Sequence, residues 1–267
     1  MKLTRSTLAY GLVVGGAMLF LGWAERKRPL RPRTEDDLDH TIRNLALAGS
    51  SLLISQTAER AVVPAMFQLA EDYHFGLLRN FPISSAAKKW AGFLALDYSL
   101  YVWHWLNHRL PPLWRGHLVH HIDVDMDTTT GIRFHFWELL ATLALRVFQV
   151  FVLGVDRAAL QLWNRVLLLG VLFQHSNLEL PPALEEMLSA VVVTPRLHAV
   201  HHSQVQEEGD SNFSSLLTCW DRLHGTLRTV PLDRKLVMGI PAYPDPTPLD
   251  QCLRLPFGPQ KPAWPED

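Results

Sequence analysis

The chain begins with a long apolar run that is followed directly by a basic segment. Ser6 to Ala24 contains no charged residue, and Leu12 to Trp23 is almost wholly apolar. A helix of about 20 apolar residues is long enough to cross a bilayer. A cleaved signal peptide is the alternative, but this run exceeds the usual apolar core of one and only a poor small-residue cleavage site follows it. The pattern favours an uncleaved membrane span.

Four further apolar segments follow, and each is interrupted by few charges. They cover 44–70 (with Glu59-Arg60), 90–103 (with Asp97), 139–155 (with Arg146) and 158–173 (with Arg165). Asp156-Arg157 lies between the last two and is predicted to be a hairpin apex. Because the mean hydropathy is only +0.04, several of these helices are expected to be half-immersed or to pack their charges inward. The alternative for any one of them is a buried helix of a soluble domain. The sequence predicts an all-α, polytopic helical membrane protein.

Basic residues assign the sides of the membrane. Five of them follow the first span directly: Arg26, Lys27, Arg28, Arg31 and Arg33. Loops rich in Lys and Arg stay in the cytoplasm, so this loop is predicted to be cytoplasmic. Counting the spans onward places the turns at 71–85 and 154–158 on the opposite side.

Three regions are predicted along the chain. Residues 1–36 form the N-terminal span and its basic loop, 37–231 form a central domain, and 232–267 form a proline-rich tail. The density of prolines from Pro241 onward predicts an extended, peripheral tail.

Composition excludes several classes of protein. Hydrophobic residues make up 48% and charged residues 19%, which excludes global disorder. A formal net charge of −1 argues against a nucleic-acid partner. Two cysteines, Cys219 and Cys252, are too few for a thiolate zinc finger, an iron–sulfur site or a disulfide framework. The chain has neither a GxGxxG motif nor a Walker loop.

Histidines are concentrated in two short windows. Of 13 in the chain, five lie within 104–121 and three within 198–202. Box one is His104 and His108; box two is His117, His120 and His121; box three is His198, His201 and His202. Spacings of three and four residues place the imidazoles of a box on one face of a helix, where they can converge on a metal. Eight imidazoles are too many for one tetrahedral ion and suit two, and imidazole is a ligand for zinc, copper, iron and nickel. Counting the spans places every box on the cytoplasmic side.

Two residues outside the boxes are candidates for the same centre. Asp97 lies on the same helical stripe as His104, so its carboxylate is predicted to accept the second ring N–H of a ligating histidine. His175 ends the last apolar segment on the side of the boxes and is predicted to be a ninth ligand.

The remaining polar residues are given structural roles. His135 and His224 are predicted to be structural, and His40 and His74 to be ordinary surface residues. Alternating acids at Asp123, Asp125 and Asp127 are typical of a solvated loop, although one of them could serve as a general base.

The boxes and the sequence between them resemble those of the fatty acid hydroxylase/sterol desaturase superfamily. The resemblance covers about 90–231 and rests on His104-Trp-Leu-Asn-His108, His117-Leu-Val-His120-His121 and His198-Ala-Val-His201-His202. It also includes Asp97-Tyr98, Leu113-Trp114-Arg115, Thr130-Gly-Ile-Arg133-Phe-His135, Thr194-Pro195 and Trp220-Asp221. The metal ligands implied are His104, His108, His117, His120, His121, His198, His201 and His202, with His175 as a ninth.

The resemblance implies an O2-dependent di-iron enzyme whose histidine-lined dimetal cap faces the cytosol. Such an enzyme hydroxylates or desaturates a C–H bond of a membrane lipid, for example a sterol or a fatty acyl chain. Zinc can replace iron in recombinant material, because it binds nitrogen sites more tightly than ferrous iron. No flavin, haem or iron–sulfur motif is visible, so a separate redox protein is expected to donate electrons.

Two other functions remain open at this point. A zinc-dependent membrane hydrolase would use the same ligands with a general base beside them. A metal transporter or sensor would place its ligands near the middle of the membrane, whereas these boxes lie at or beyond the ends of spans.

Overall fold

Long helices form the body of the computed structural model, which describes residues 5–264. They are α1 (Arg5–Lys27), α2 (Asp37–Asp72), α4 (Ser85–Arg109), α6 (Phe136–Val147, continued by a π-helical turn at Phe148–Val152) and α7 (Arg157–His175). Residues 1–4 of the predicted N-terminal region and 265–267 of the predicted tail lie outside the described residues.

Shorter helices build a cap at one end of these. They are α5 (Pro111–His121), α8 (Pro182–Ser189), α9 (Pro195–His201), α10 (Gln206–Gly209), α11 (Cys219–His224) and α12 (Leu249–Arg254), with 3-10 turns at Thr128–Ile132 and Leu255–Phe257. A further short helix, α3 (Leu77–Asn80), lies at the opposite end. Between residues 5 and 264 the only extended pairings are isolated β-bridges. The all-α prediction is confirmed for this part of the chain.

Helix boundaries follow local sequence signals. The Ser84 hydroxyl accepts the Ala87 N–H at 3.2 Å and starts α4, and Asp156 accepts the Ala159 N–H at 2.6 Å and starts α7. The predicted hairpin apex at Asp156-Arg157 is therefore confirmed. Pro111 ends α4 and begins α5, since proline disfavours a helical residue before it and is well tolerated in a first turn.

Two turns meet at the end of the molecule opposite the cap. The Leu78 N–H donates to the Leu153 carbonyl at 2.9 Å. Gly76 and Gly154 both have positive φ, and a Cβ on Gly76 would lie 2.4 Å from the Gly154 Cα, so only glycine fits there. These turns belong to the predicted 71–85 and 154–158 segments, which thus lie on the same end of the fold.

The helix α1 is the one helix, among those described, that is long and apolar enough to cross a membrane. Its apolar side chains point outward, and Leu12 and Leu19 are 70% and 78% exposed. The basic loop after it contacts the segment that follows box two: Arg31 Nη2 donates to the Met126 carbonyl at 2.8 Å, and Arg33 lies 2.9 Å from the Asp127 carboxylate. The loop therefore lies at the histidine end of the molecule.

The prediction of an extended, peripheral tail is wrong. Cys252 is fully buried in α12, and Arg115 of α5 donates to the Pro256 carbonyl at 2.6 Å. Proline density misled the prediction because Pro248 and Pro256 stand at the starts of short helices, where a missing N–H costs nothing. The tail packs against the helix that carries box two.

Candidate metal centre

Nine histidines converge in two adjacent clusters inside the cap. In each cluster, one nitrogen from every histidine lies within 4.8 Å of the others. The five-histidine cluster is His104, His108, His117, His121 and His201. The four-histidine cluster is His120, His175, His198 and His202. These are the nine residues predicted from the sequence, and the clusters are the geometry expected for two ions.

Boxes two and three are each divided between the clusters. His117 and His121 face the five-histidine cluster, whereas His120 between them faces the other. Residues four apart on a helix differ by about 40° in direction, but adjacent residues differ by about 100°. Box three divides in the same way, because His198 and His202 face the four-histidine cluster and His201 does not. The sequence predicted that the imidazoles of each box converge on one metal ion. For boxes two and three this is wrong, because each box contributes to both clusters.

Distances between ring nitrogens fit a shared ion. In the five-histidine cluster, His117 Nε2 lies 3.1 Å from the Nε2 atoms of His104 and His121. In the other cluster, His175 Nε2 lies 3.0 Å from His120 Nε2 and 2.9 Å from His198 Nε2. Two nitrogens bound at about 2.1 Å and at right angles are about 3.0 Å apart. The donor set and its spacing thus suit nitrogen-ligated transition metals.

The opposite ring nitrogens are held by the protein. Five histidines direct Nδ1 at an oxygen: His104 at the Phe213 carbonyl (2.8 Å), His117 at Glu138 (2.8 Å), His120 at the Arg133 carbonyl (3.3 Å), His175 at the Val171 carbonyl (2.7 Å) and His201 at the Ser211 carbonyl (2.6 Å). An oxygen there requires the proton on Nδ1 and leaves the Nε2 lone pair free for a metal. These contacts fix both ring orientation and tautomer.

Other ring nitrogens of the clusters make no hydrogen bond within the described residues. Both nitrogens of His108 and of His202 are buried without a hydrogen bond. Burial lowers the pKa of His121 and His202 well below the usual value, and neighbouring imidazoles lower it further. Neutral imidazole is the form that binds metals. Unpaired, uncharged and buried nitrogens are costly to a protein unless something binds them.

The predicted role of Asp97 is wrong. Its Oδ2 accepts the Trp220 indole N–H at 2.7 Å and the Leu217 N–H at 3.3 Å, and neither carboxylate oxygen contacts a histidine. Asp97 thus ties α4 to α11 and to the loop before it. The carboxylate that does support a histidine is Glu138, on α6, which sequence reasoning missed.

We expect a Glu138→Gln substitution to weaken metal retention about 10–100-fold, because groups that orient ligating histidines typically contribute that much. Glutamine keeps the size of the side chain but loses the charge facing His117 Nδ1. Metal content after dialysis against a chelator series measures the effect. Asp97→Asn is the matched control, and it should retain metal as the wild type does. Equal retention in the two variants would show that the Glu138 contact is dispensable.

The other histidines lie outside both clusters. His135 is buried, with Nδ1 accepting the Trp137 N–H at 3.0 Å at the start of α6, which agrees with a structural role. His224 stacks on Tyr101 with ring centroids 4.9 Å apart, and His74 is exposed as predicted.

The interpretation of His40 and the acids after box two as surface residues is wrong. His40 is fully buried, with Nε2 at 2.9 Å from Asp123 Oδ1 and Nδ1 at 3.3 Å from Asp127 Oδ2. Burial alone would lower the pKa of His40, but the two carboxylates outweigh it and raise the pKa to about 10. Burial would raise the pKa of Asp123, yet the His40 and Arg133 charges hold it well below the usual value. His40 is therefore a cation inside an ion-paired network.

Arg133 connects this network to the four-histidine cluster. Its fully buried guanidinium donates to the Val119 carbonyl at 3.0 Å and to Asn44 Oδ1 at 2.6 Å, while its own carbonyl faces His120 Nδ1. The same guanidinium donates to the Cys252 sulfur at 3.3 Å. Helix α2 and the tail are thus linked to a box-two histidine through one residue.

A cavity of about 190 Å³ opens beside the clusters, between α4, α6 and α7. Five histidines of both clusters line it, and its other walls are mainly apolar, including Leu100, Phe134, Leu139, Leu167 and Val171. The arrangement can hold an alkyl segment against the histidine nitrogens.

Comparison with known proteins places residues 90–226, about half of the chain, in the family model described as fatty acid hydroxylase. The chain is 32% identical over 149 residues to ornithine lipid hydroxylase OlsE of Rhizobium tropici, covering 56% of this chain and 44% of that protein. It is 28% identical over 233 residues to alkylglycerol monooxygenase of Danio rerio, covering 83% and 46%. It is 29% identical over 145 residues to cholesterol 25-hydroxylase of Mus musculus, covering 54% and 47%. The chain thus spans about half the length of these relatives, and no solved structure matches it.

Proposed function

The chain belongs to the fatty acid hydroxylase family, and on that premise we propose that it is an O2-dependent di-iron oxidoreductase that oxidises a C–H bond of a membrane lipid. The observation that carries the proposal is the pair of histidine clusters along one wall of an apolar cavity. Relatives named as hydroxylases and monooxygenases of three different lipids favour hydroxylation over desaturation.

Metal ligation is assigned to the two clusters. One ion would be held by the five-histidine cluster and the other by the four-histidine cluster. Two iron ions, with O2 as co-substrate, would supply the oxidising power that no side chain possesses. Imidazole nitrogens with their protons fixed on Nδ1 present lone pairs without any rearrangement of the protein.

The cavity walls position the substrate and exclude water. Leu100, Leu139 and Leu167 come from three helices and offer an alkyl chain apolar contact directly beside His104 and His175. Burial of apolar surface is favourable by about 25 cal/mol per Å², so the alkyl chain is drawn from water into the cavity. The reacting carbon is thereby held against the histidine wall.

We assign the molecule to the membrane as a multi-pass protein with its cap in the cytosol. Support comes from the outward-facing apolar helix α1 and from the contact between the basic loop and the cap, because basic loops stay cytoplasmic. The 71–85 and 154–158 turns would then face the other side. We further assign residues 1–36 to the N-terminal anchor, 37–231 to the catalytic domain and 232–267 to the tail.

We assign the role of electron donor to a separate redox protein. Hydroxylation by O2 consumes two electrons, and the sequence shows no motif for a flavin, haem or iron–sulfur group.

The hydrolase alternative needs a general base, but the acids after box two are engaged elsewhere, and the one carboxylate among the described residues that lines the cavity, Glu138, already faces His117 Nδ1. Asp123 and Asp127 pair with His40, and Asp125 accepts the Thr34 N–H at 2.7 Å. None of these three lines the cavity. A transporter is disfavoured because the clusters lie where α4 and α7 end rather than midway along them.

The test compares lipid extracts from a deletion strain complemented with the wild type or with His120→Ala. A lipid that gains one oxygen only with the wild type, together with reductant-dependent O2 consumption by purified protein, is the expected result. A product two hydrogens lighter would indicate desaturation instead. Hydrolysis products without O2 uptake would refute the proposal in favour of the zinc hydrolase.

A further inference from the structure

Four of the residues that line the apolar cavity each have a buried polar atom that no hydrogen bond accounts for. These atoms are Trp103 Nε1, Asn107 Oδ1, Glu138 Oε2 and Gln174 Oε1, and each is buried without a partner among the described residues. The side chains of Asn107, Glu138 and Gln174 belong to residues that are 3%, 6% and 2% exposed. Buried polar atoms in proteins are nearly always paired, and these four are grouped around one cavity, where a bound molecule could pair with them.

The neighbouring metal centre does not explain these atoms. None of the four residues belongs to either histidine cluster. The other oxygen of Glu138 already faces His117 Nδ1 at 2.8 Å, and Asn107 Nδ2 donates weakly to that same oxygen at 3.5 Å. The unpartnered atoms are therefore three acceptors and one indole donor, on residues that line one cavity together with five histidines.

We propose that these atoms recognise a hydrogen-bonding group of the substrate, a hydroxyl or a secondary amide, and that the oxidised carbon lies within a few bonds of it. The inference rests on the proposed function and narrows its substrate class. A hydroxyl or an amide N–H donates to the carboxylate and amide oxygens, and its oxygen accepts from Trp103.

Cavity size links the polar group to the reacting carbon. A volume of about 190 Å³ leaves space for only a short stretch of a lipid, so a group bound to Asn107 or Gln174 brings its own neighbouring carbons to the histidines. A plain hydrocarbon segment would leave the four atoms unpaired. Sites built to hydrogen-bond a substrate group discriminate strongly against analogues that lack it. The lipid is thus oxidised near its headgroup linkage and not at a distant end of its chain.

Binding of two matched probes tests this without turnover. Purified metal-loaded protein in nanodiscs is offered 1-hexadecanol or hexadecyl methyl ether at equal mole fraction, and bound probe is counted by native mass spectrometry. The alcohol donates a hydrogen bond and the ether does not. We expect the alcohol to bind about tenfold more tightly, the ratio expected for one hydrogen bond to a buried acceptor. Equal binding of the two probes would overturn the inference.

Substitutions in the cavity wall test whether the preference for the alcohol over the ether arises there. Gln174→Met and Asn107→Leu remove acceptors at nearly constant volume, so each should reduce the alcohol-to-ether ratio toward one. Thr142→Val is the matched control, because Thr142 lines the cavity but its hydroxyl already donates to the Glu138 carbonyl at 2.9 Å. An undiminished ratio in both acceptor variants would refute the assignment. The comparison of probes in the wild type stands even if a variant does not fold.

The outcomes separate this inference from the proposed function. Protein that prefers the alcohol but oxidises no lipid contradicts only the proposed function. Protein that oxidises a lipid at a carbon far from any hydroxyl or amide contradicts only this inference.

Discussion

An His120→Ala variant is expected to retain about one metal ion per chain where the wild type holds about two, and to lose oxygen consumption with lipid. His120 contributes one of four nitrogens to its cluster and lies 3.0 Å from His175 Nε2. Without His120 the cluster has three imidazoles, which leave one coordination position of the ion without a protein ligand. Metal should therefore be lost selectively from the four-histidine cluster. Metal analysis of purified protein and O2 uptake measure the two effects.

The control for this substitution is His135→Ala. His135 is as buried as His120 and lies in the same part of the cap, but its ring accepts the Trp137 N–H and belongs to neither cluster. It should keep two ions per chain while unfolding more readily. Equal loss of metal in the two variants would show that the division of the histidines is wrong. If the wild type held only one metal ion per chain after both iron-rich and zinc-rich growth, the prediction of two ions per chain would be wrong.

Removing the Asp123 carboxylate is expected to produce the largest loss of stability. In Asp123→Ala, the buried Arg133 cation loses the carboxylate that faces it, and the buried His40 cation loses the nearer of its two partners and keeps only Asp127. Breaking a buried ion pair by removing one partner typically costs about 3–5 kcal/mol. The free energy of unfolding in detergent, from denaturant titration of tryptophan fluorescence, should fall by about that amount.

Glu71→Ala is the comparison for this experiment. The Glu71 carboxylate pairs with Arg157 at 3.5 Å, but both side chains are roughly half exposed. Exposed pairs contribute about 0–1 kcal/mol because water screens them. If Asp123→Ala destabilised the protein no more than Glu71→Ala does, the network around His40 would not contribute to stability as its burial indicates.

The spacing of histidines along the chain was enough to predict that the box histidines lie close together. The histidines of a box lie within one or two helical turns, so their closeness to one another follows from helix geometry alone. His175 was identified in the same way, from its place at the end of an apolar segment. Which of the two clusters each histidine joins depends on how α5 and α9 are rotated against each other, and that rotation is set by tertiary packing.

Contacts between distant parts of the chain were not visible in the sequence. His40 and Asp123 are 83 positions apart, and each separately has the composition of a surface residue. Glu138 lies 21 positions after His117, and nothing in the order of residues indicates that α6 turns its first acid toward box two. Asp97 was assigned to a histidine because it shares a helical stripe with one, but Trp220 lies closer to its carboxylate in space.

The bond between Arg133 and Cys252 also constrains the order in which the chain acquires its structure. Its two ends are 119 positions apart, and the Arg133 carbonyl faces box two. On the ribosome, all three boxes emerge before residue 252 does. Newly made protein therefore passes through a stage in which every box histidine has been synthesised but Arg133, whose carbonyl faces His120, still lacks its contact with the tail. Contacts of such long sequence separation form late and slowly. The Arg133–Cys252 bond therefore forms only after every box has been synthesised.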